Sequence, residues 1–74
     1  MKYFVGKYSE IEAELGRGGD VENDYWSICM YTDDGEHNHM EVETVSELYD
    51  AITEMRRWEQ DITFVNKPLQ ARYK

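Results

Sequence analysis

Tyr25-Trp26-Ser27-Ile28-Cys29-Met30-Tyr31-Thr32-Asp33-Asp34-Gly35-Glu36-His37-Asn38-His39-Met40-Glu41-Val42-Glu43-Thr44 is the stretch that decides the fold. Two runs of period two flank a turn. In the first, Trp26, Ile28, Met30 and Thr32 alternate with Tyr25, Ser27, Cys29 and Tyr31. Asp33-Asp34-Gly35 supplies the residues that tolerate the positive φ of a tight hairpin turn. In the return run, Met40 and Val42 point one way and His37, His39, Glu41 and Glu43 the other. This pattern predicts an antiparallel hairpin with one apolar and one polar face.

Upstream, Lys2 to Tyr8 is rich in aromatic and branched residues and reads as a strand. Ser9 to Leu15 continues it by strict alternation, with Glu10, Glu12 and Glu14 against Ile11, Ala13 and Leu15. A rival reading makes this segment a helix, with Ser9 and Glu12 as a capping box and Gly16 as its C′ residue. One long strand is the expectation. Gly16-Arg17-Gly18-Gly19-Asp20 is turn chemistry, and the loop is expected to reach Asp24. Its glycines lack the Lys-Ser/Thr and the helix of a phosphate-binding loop.

Downstream, Ser46 is a good N-cap and Glu47 complements the helix dipole. Val45, Leu48, Ile52 and Met55 recur at helical spacing, with Ala51 and Trp58 widening the stripe, so a helix is expected from Ser46 to Trp58. Asp61 to Val65 reads as a last strand closed by Pro68, and residues 67–74 as a loose tail. The expected fold is α+β in the order β-β-β-α-β. One domain over residues 1–74 would hold an antiparallel sheet of three to four strands. One helix covers one sheet face, and the other face looks to solvent or to a partner.

Composition limits what such a chain does. Of its 74 residues, 14 are Leu, Ile, Val or Phe, and the net charge is −8. That sits near the disordered boundary, and the two Trp and six Tyr supply the missing core. Self-association as a homodimer, or a partner, would add burial to so small a fold. Cys29 has no second cysteine to pair with, the start Met1 to Lys7 lacks a secretory apolar stretch, and no apolar run is long enough for a membrane span. A cytosolic location without a membrane partner is expected.

Charge is segregated along the chain. Residues 9–54 hold 14 acids and one base, Arg17, a net of −13, while both ends are basic. Alternation would set Glu10, Glu12, Glu14, Glu41 and Glu43 on one wet sheet face, with Tyr8, Tyr25 and Tyr31 in the same phase. Outward residues on a strand stand about 6.6–6.8 Å apart, and such rows present a nucleic-acid-like potential to a Lys/Arg-lined groove. Acidic rows also raise solubility without any partner. Self-repulsion destabilises a small fold, however, and mixed signs would serve solubility equally well. The residues expected to meet a partner are Glu10, Glu12, Glu14, Tyr25, Tyr31, Glu41, Glu43, Glu47 and Asp50. Direct nucleic-acid binding is disfavoured, because no basic stripe is present.

No catalytic residue, cofactor or metal is expected. His37 and His39 with Glu41 are zinc-type ligand residues, but ligands in a row on one strand rarely converge on a tetrahedron, so they read as exposed hairpin histidines.

The strand 25–32, its Asp33-Asp34-Gly35 turn, the second strand to Glu43 and the helix opening Ser46-Glu47-Leu48 resemble two groups of proteins. One comprises the sheet-plus-helix DNA-binding domains of plant transcription factors and phage integrase arms. Those are basic on the sheet face, where this chain carries Glu41 and Glu43, so their DNA binding does not carry over. The other comprises small acidic phage-encoded inhibitors, the anti-CRISPR and anti-restriction DNA mimics, which are similar in size and charge over about residues 25–58. That resemblance implies a non-enzymatic protein of the host cytosol that occupies the nucleic-acid groove of a defence complex. A small cytosolic adaptor or subunit, using its sheet face for protein–protein contact, is the alternative.

Overall fold

Backbone pairing in the computed structural model confirms the hairpin. The structure describes residues 2–17 and 24–73. Strand β1 (Lys2–Lys7) is followed by helix α1 (Tyr8–Glu14), strands β2 (Trp26–Tyr31) and β3 (His37–Val42), helix α2 (Val45–Arg57), strand β4 (Asp61–Phe64) and helix α3 (Lys67–Tyr73). The sheet order is β3-β2-β1-β4. β2 pairs antiparallel with both β3 and β1, whereas β4 runs parallel to β1. The fold is α+β, but the sheet is mixed and carries three helices among the described residues, in place of an antiparallel sheet with one. Most of the expected glycine-rich turn, residues 18–23, lies outside the described residues.

The predicted strand parity holds. Lys7, Trp26 and Val42 are in register, as are Val5, Ile28 and Met40. Val5, Ile28 and Val42 are buried in one cluster with Leu48 and Ile52 of α2 and Leu69 of α3. Side chains on the other face include Ser27 and Cys29, which are also fully buried, as is Ile11 of α1. The face expected to be wet is therefore covered by α1. Burial on both sides lets a 74-residue chain assemble enough apolar contact to stay folded.

The alternation over Ser9 to Leu15 misleads for a specific reason. Tyr8, Ile11, Glu12 and Leu15 fall at i, i+3, i+4 and i+7, which is one helix face. Glu12 puts a carboxylate in the middle of that stripe and conceals it. The helix ends are well satisfied. Glu10 Oε1 accepts from Lys7 N–H at 2.9 Å, and Asp24 accepts from both Ser9 N–H and Ser9 Oγ at 3.0 and 2.7 Å. At the C-terminus Gly16 has φ +76°, a region costly for other residues. Gly16 N–H donates to Ala13 C=O and Arg17 N–H to Glu12 C=O, the paired bonds of a Schellman motif. The helix reading of Gly16 was right, and the capping partners are Lys7 and Glu10 instead of Ser9 and Glu12.

Two further boundaries shift. α2 begins two residues before Ser46 would place it: Thr44 is the N-cap, accepting from Glu47 N–H at 3.2 Å. Leu48 and Ile52 are buried as expected, while Trp58 is 66% exposed and lies outside the stripe. The tail expected to be loose forms α3 over Lys67–Tyr73. Asn66 caps it by accepting from Leu69 N–H at 3.0 Å. Pro68 sits in its first turn, where a missing N–H leaves no bond unmade. Tyr73 stacks on Phe64 with ring centroids 5.4 Å apart, which ties the helix to β4.

Coverage of both faces has a direct test by urea denaturation. Ile11→Ala and Leu48→Ala should each lower stability by about 2–5 kcal/mol, and Glu14→Ala on the exposed side of α1 should change it by less than about 0.5 kcal/mol. An Ile11→Ala chain as stable as the parent would contradict the helical covering.

Candidate functional site

Two features stand out: an exposed acidic tract and a half-buried polar cluster. In sequence the tract runs through the β2–β3 turn, along and past β3 and over the outer side of α2; Glu41, in register with Ser27, lies on the sheet face opposite the one on which α2 packs. Asp33, Asp34, Glu36, Glu41, Glu43, Glu47 and Asp50 are all exposed, and no Lys or Arg lies between residues 24 and 55. None of these seven carboxylates makes an ion pair among the described residues. The geometry follows from the elements that carry them. β3 is a sheet edge, so Glu41 and Glu43 have no neighbouring strand to meet on one side. On α2, Glu47, Asp50 and Glu54 lie at i, i+3 and i+7, on a stripe away from buried Leu48 and Ile52. The basic residues gather elsewhere. Arg56 guanidinium lies 5.5 Å from the Tyr73 ring and Arg72 guanidinium 4.3 Å from the Tyr49 ring, at the α2–α3 end.

The cluster forms where α1 crosses the polar face of the β2–β3 hairpin. Glu12 is buried, and its Oε1 stands 2.6 Å from His39 Nε2. Arg17 Nη2 donates to the same oxygen at 3.2 Å, and Arg17 Nη1 also meets the ring nitrogens of His37. Behind His39, its Nδ1 lies 3.0 Å from Ser27 Oγ. The Tyr8 ring packs on the His39 ring at 4.5 Å and on Tyr25 at 5.1 Å. The ring can complete this chain by donating Nε2–H to Glu12 and accepting the Ser27 hydroxyl at Nδ1, the roles depending on the tautomer. Among the described residues no buried side-chain N or O lacks a partner. The Ser27–His39–Glu12 order resembles a nucleophile relay, but Ser27 is fully buried, so a substrate carbonyl has no route to its Oγ.

Burial pushes the Cys29 thiol up from its ordinary value; Glu12 adds to the rise and Arg17 opposes it. Burial also raises the Tyr25 phenol, with Tyr8, Glu41 and Glu12 contributing in that order.

The residues expected to meet a partner therefore divide. Glu41, Glu43, Glu47 and Asp50 are exposed on the tract, and Glu14 is exposed on α1. Glu10 and Glu12 do not join an outward row. Glu10 caps α1 and accepts from Asn66 Nδ2 at 3.0 Å, and Glu12 is consumed by His39 and Arg17. Tyr25 and Tyr31 are half-buried, the first packed at a tilt against Tyr8 and the second edge-on to Phe4 at 6.1 Å. The geometric reason is the helical turn of residues 8–14, which folds the carboxylates of Glu10 and Glu12 back onto the chain. Arg17, Ser27 and Tyr8 carry the cluster without having been singled out for it. Strand parity already placed Ser27, His37 and His39 on one face. The missing signal was the helix stripe that lays Glu12 over it.

No helix among the described residues is long and apolar enough to cross a membrane. No family model matches the chain, and neither a curated protein nor a solved structure matches it.

Thiol reactivity reports on this face. Because burial disfavours the thiolate, Cys29 should react slowly with a disulfide reagent at neutral pH in the native state, and quickly once urea unfolds the chain. Native labelling as fast as that of the unfolded chain would show that α1 does not cover it.

Proposed function

We propose that this is a non-enzymatic acidic binding protein of the cytosol that docks on the basic, nucleic-acid-binding surface of a host protein or complex, acting as an inhibitor in the manner of the anti-CRISPR and anti-restriction DNA mimics. The observation that carries the reading is the run of exposed carboxylates from Asp33 to Asp50, with no Lys or Arg between them in sequence and no ion pair among the described residues, in the β2–β3 turn, on and just after β3 and on the outer side of α2. Structural needs use Glu10 and Glu12 internally, and this second set has no such use. Holding it together lowers stability by self-repulsion, a cost that a Lys/Arg-lined groove would reverse on binding. The contact residues under this reading are Glu41, Glu43, Glu47 and Asp50, with Glu14 at the margin. Tyr25 and Tyr31 contribute through their exposed edges.

A second reading, an adaptor or subunit, draws on the edge itself. Among the described residues no strand lies beside the outer side of β3, and Met40, on that strand, is 57% exposed. A partner strand added at that edge would use backbone hydrogen bonds instead of charge.

Two experiments on a complex recovered from host lysate separate these readings. Glu41→Gln with Glu43→Gln keeps side-chain shape and removes two charges. Binding should weaken, the on-rate should fall as added salt shrinks the Debye length below about 10 Å, and thermal stability should hold or rise. Nucleic acid should compete with the protein for the partner. Gln variants that bind like the parent, together with simultaneous binding of nucleic acid, would contradict mimicry and favour strand addition.

A further inference from the structure

The polar cluster under α1 has a composition that its structural role does not require. Glu12, His37 and His39 each offer one ligand atom, and these three atoms lie within 4.8 Å of one another. They come from two elements. His37 and His39 share one face of β3 at i and i+2, with ring centroids 5.9 Å apart, and Glu12 reaches across from α1. A row of ligands on one strand does not close around an ion. A third ligand from a crossing helix does, and this removes the geometric objection to the two histidines.

We propose that Glu12, His37 and His39 form a binding site for a zinc-class divalent ion, with the remaining coordination position open on the side of Arg17. Three observations support it. First, the donors suit the ion: two imidazoles and one carboxylate match borderline metals such as Zn²⁺ or Co²⁺, and offer too few oxygens for Ca²⁺ or Mg²⁺. Tetrahedral ligands at about 2.0 Å from zinc stand about 3.3 Å apart, so side-chain rotations of modest size close the set. Second, His39 has the oriented outer contact that metal-bound histidines use. Its Nδ1 lies 3.0 Å from Ser27 Oγ; when an ion takes the place of the Nε2 proton, the ring adopts the other tautomer, with Nδ1–H donating to the Ser27 hydroxyl oxygen and the Nε2 lone pair facing the site. The Tyr8 ring packed on it fixes the plane of the imidazole. Third, a cation already occupies the mouth. The Arg17 guanidinium bridges Glu12 of α1 and His37 of β3, and its side chain is 39% exposed. Arg17 thus holds the position of positive charge that a metal ion takes on binding. A long, partly exposed side chain can withdraw to solvent, leaving the three ligands to the ion.

The test is calorimetric titration of the chelator-stripped full chain with zinc chloride, alongside visible absorption with Co²⁺. The parent should take up one zinc ion per chain saturably at about micromolar concentration, and Co²⁺ should show the d–d bands of a low-coordinate site. His37→Ala, on the sheet edge and outside the apolar core, should keep its circular dichroism and bind at least about tenfold more weakly. Arg17→Gln removes the competing cation and should bind more tightly than the parent. Absence of saturable binding up to about 100 µM zinc, a His37→Ala chain that binds like the parent, or an Arg17→Gln chain that binds more weakly would each overturn the proposal. The Co²⁺ spectrum of the parent decides the question on its own should a variant fail to fold.

Discussion

Glu12 is the residue on which the arrangement turns. Its carboxylate lies under α1, 2.6 Å from His39 Nε2 and within 3.2 Å of Arg17 Nη2. A charged group in that place needs a partner, because an unpaired buried carboxylate costs several kcal/mol. The contact fixes α1 across the hairpin, and with it the burial of Ile11, Ser27 and Cys29. It also sets which carboxylates remain outside. Had residues 8–14 continued as a strand, Glu10, Glu12 and Glu14 would have joined the exterior. The helix instead spends two of the three on capping and pairing.

The rest of the core is built around the same economy of apolar residues. On the α2 side, Val5, Ile28, Val42, Leu48, Ile52 and Leu69 form the buried cluster, and aromatic rings extend it. Tyr73 on Phe64 and Arg72 on Tyr49 seal the end where α3 returns to the sheet. Rings and guanidinium groups do there what aliphatic side chains do in larger proteins. Arg56 and Arg72 are thereby drawn to the α2–α3 end, and the carboxylates from Asp33 to Asp50 make no ion pair among the described residues. Packing and charge segregation are two sides of one solution.

Much of this was legible in the residues. The parity of Trp26 and Ile28 against Ser27 and Cys29, the facing of His37 and His39, and the Leu48–Ile52 stripe all follow from local periodicity, which burial enforces directly. What was not legible depends on contacts between distant segments. The parallel pairing of β1 with β4 joins residues about sixty positions apart and leaves no local mark. Glu12 breaks the apolar stripe of α1, so a strand pattern outscored the helix even though Gly16 signalled the helix end. Pro68 was read as a breaker, although the Asn66 cap two residues earlier marks it as a first-turn proline. The polar cluster was half visible: both histidines were placed on the correct face, and the helix that brings Glu12 to them was not.

The central claim is that α1 is helical and lies over the β2–β3 hairpin with Tyr8 against His39. Nuclear Overhauser spectroscopy of the ¹⁵N,¹³C-labelled chain in solution measures this most directly. The account predicts cross-peaks between the Tyr8 and His39 ring protons, whose centroids are 4.5 Å apart, together with helical sequential contacts from Tyr8 to Glu14. Cross-strand contacts from residues 9–14 to a neighbouring strand, with no Tyr8–His39 cross-peak, would contradict it.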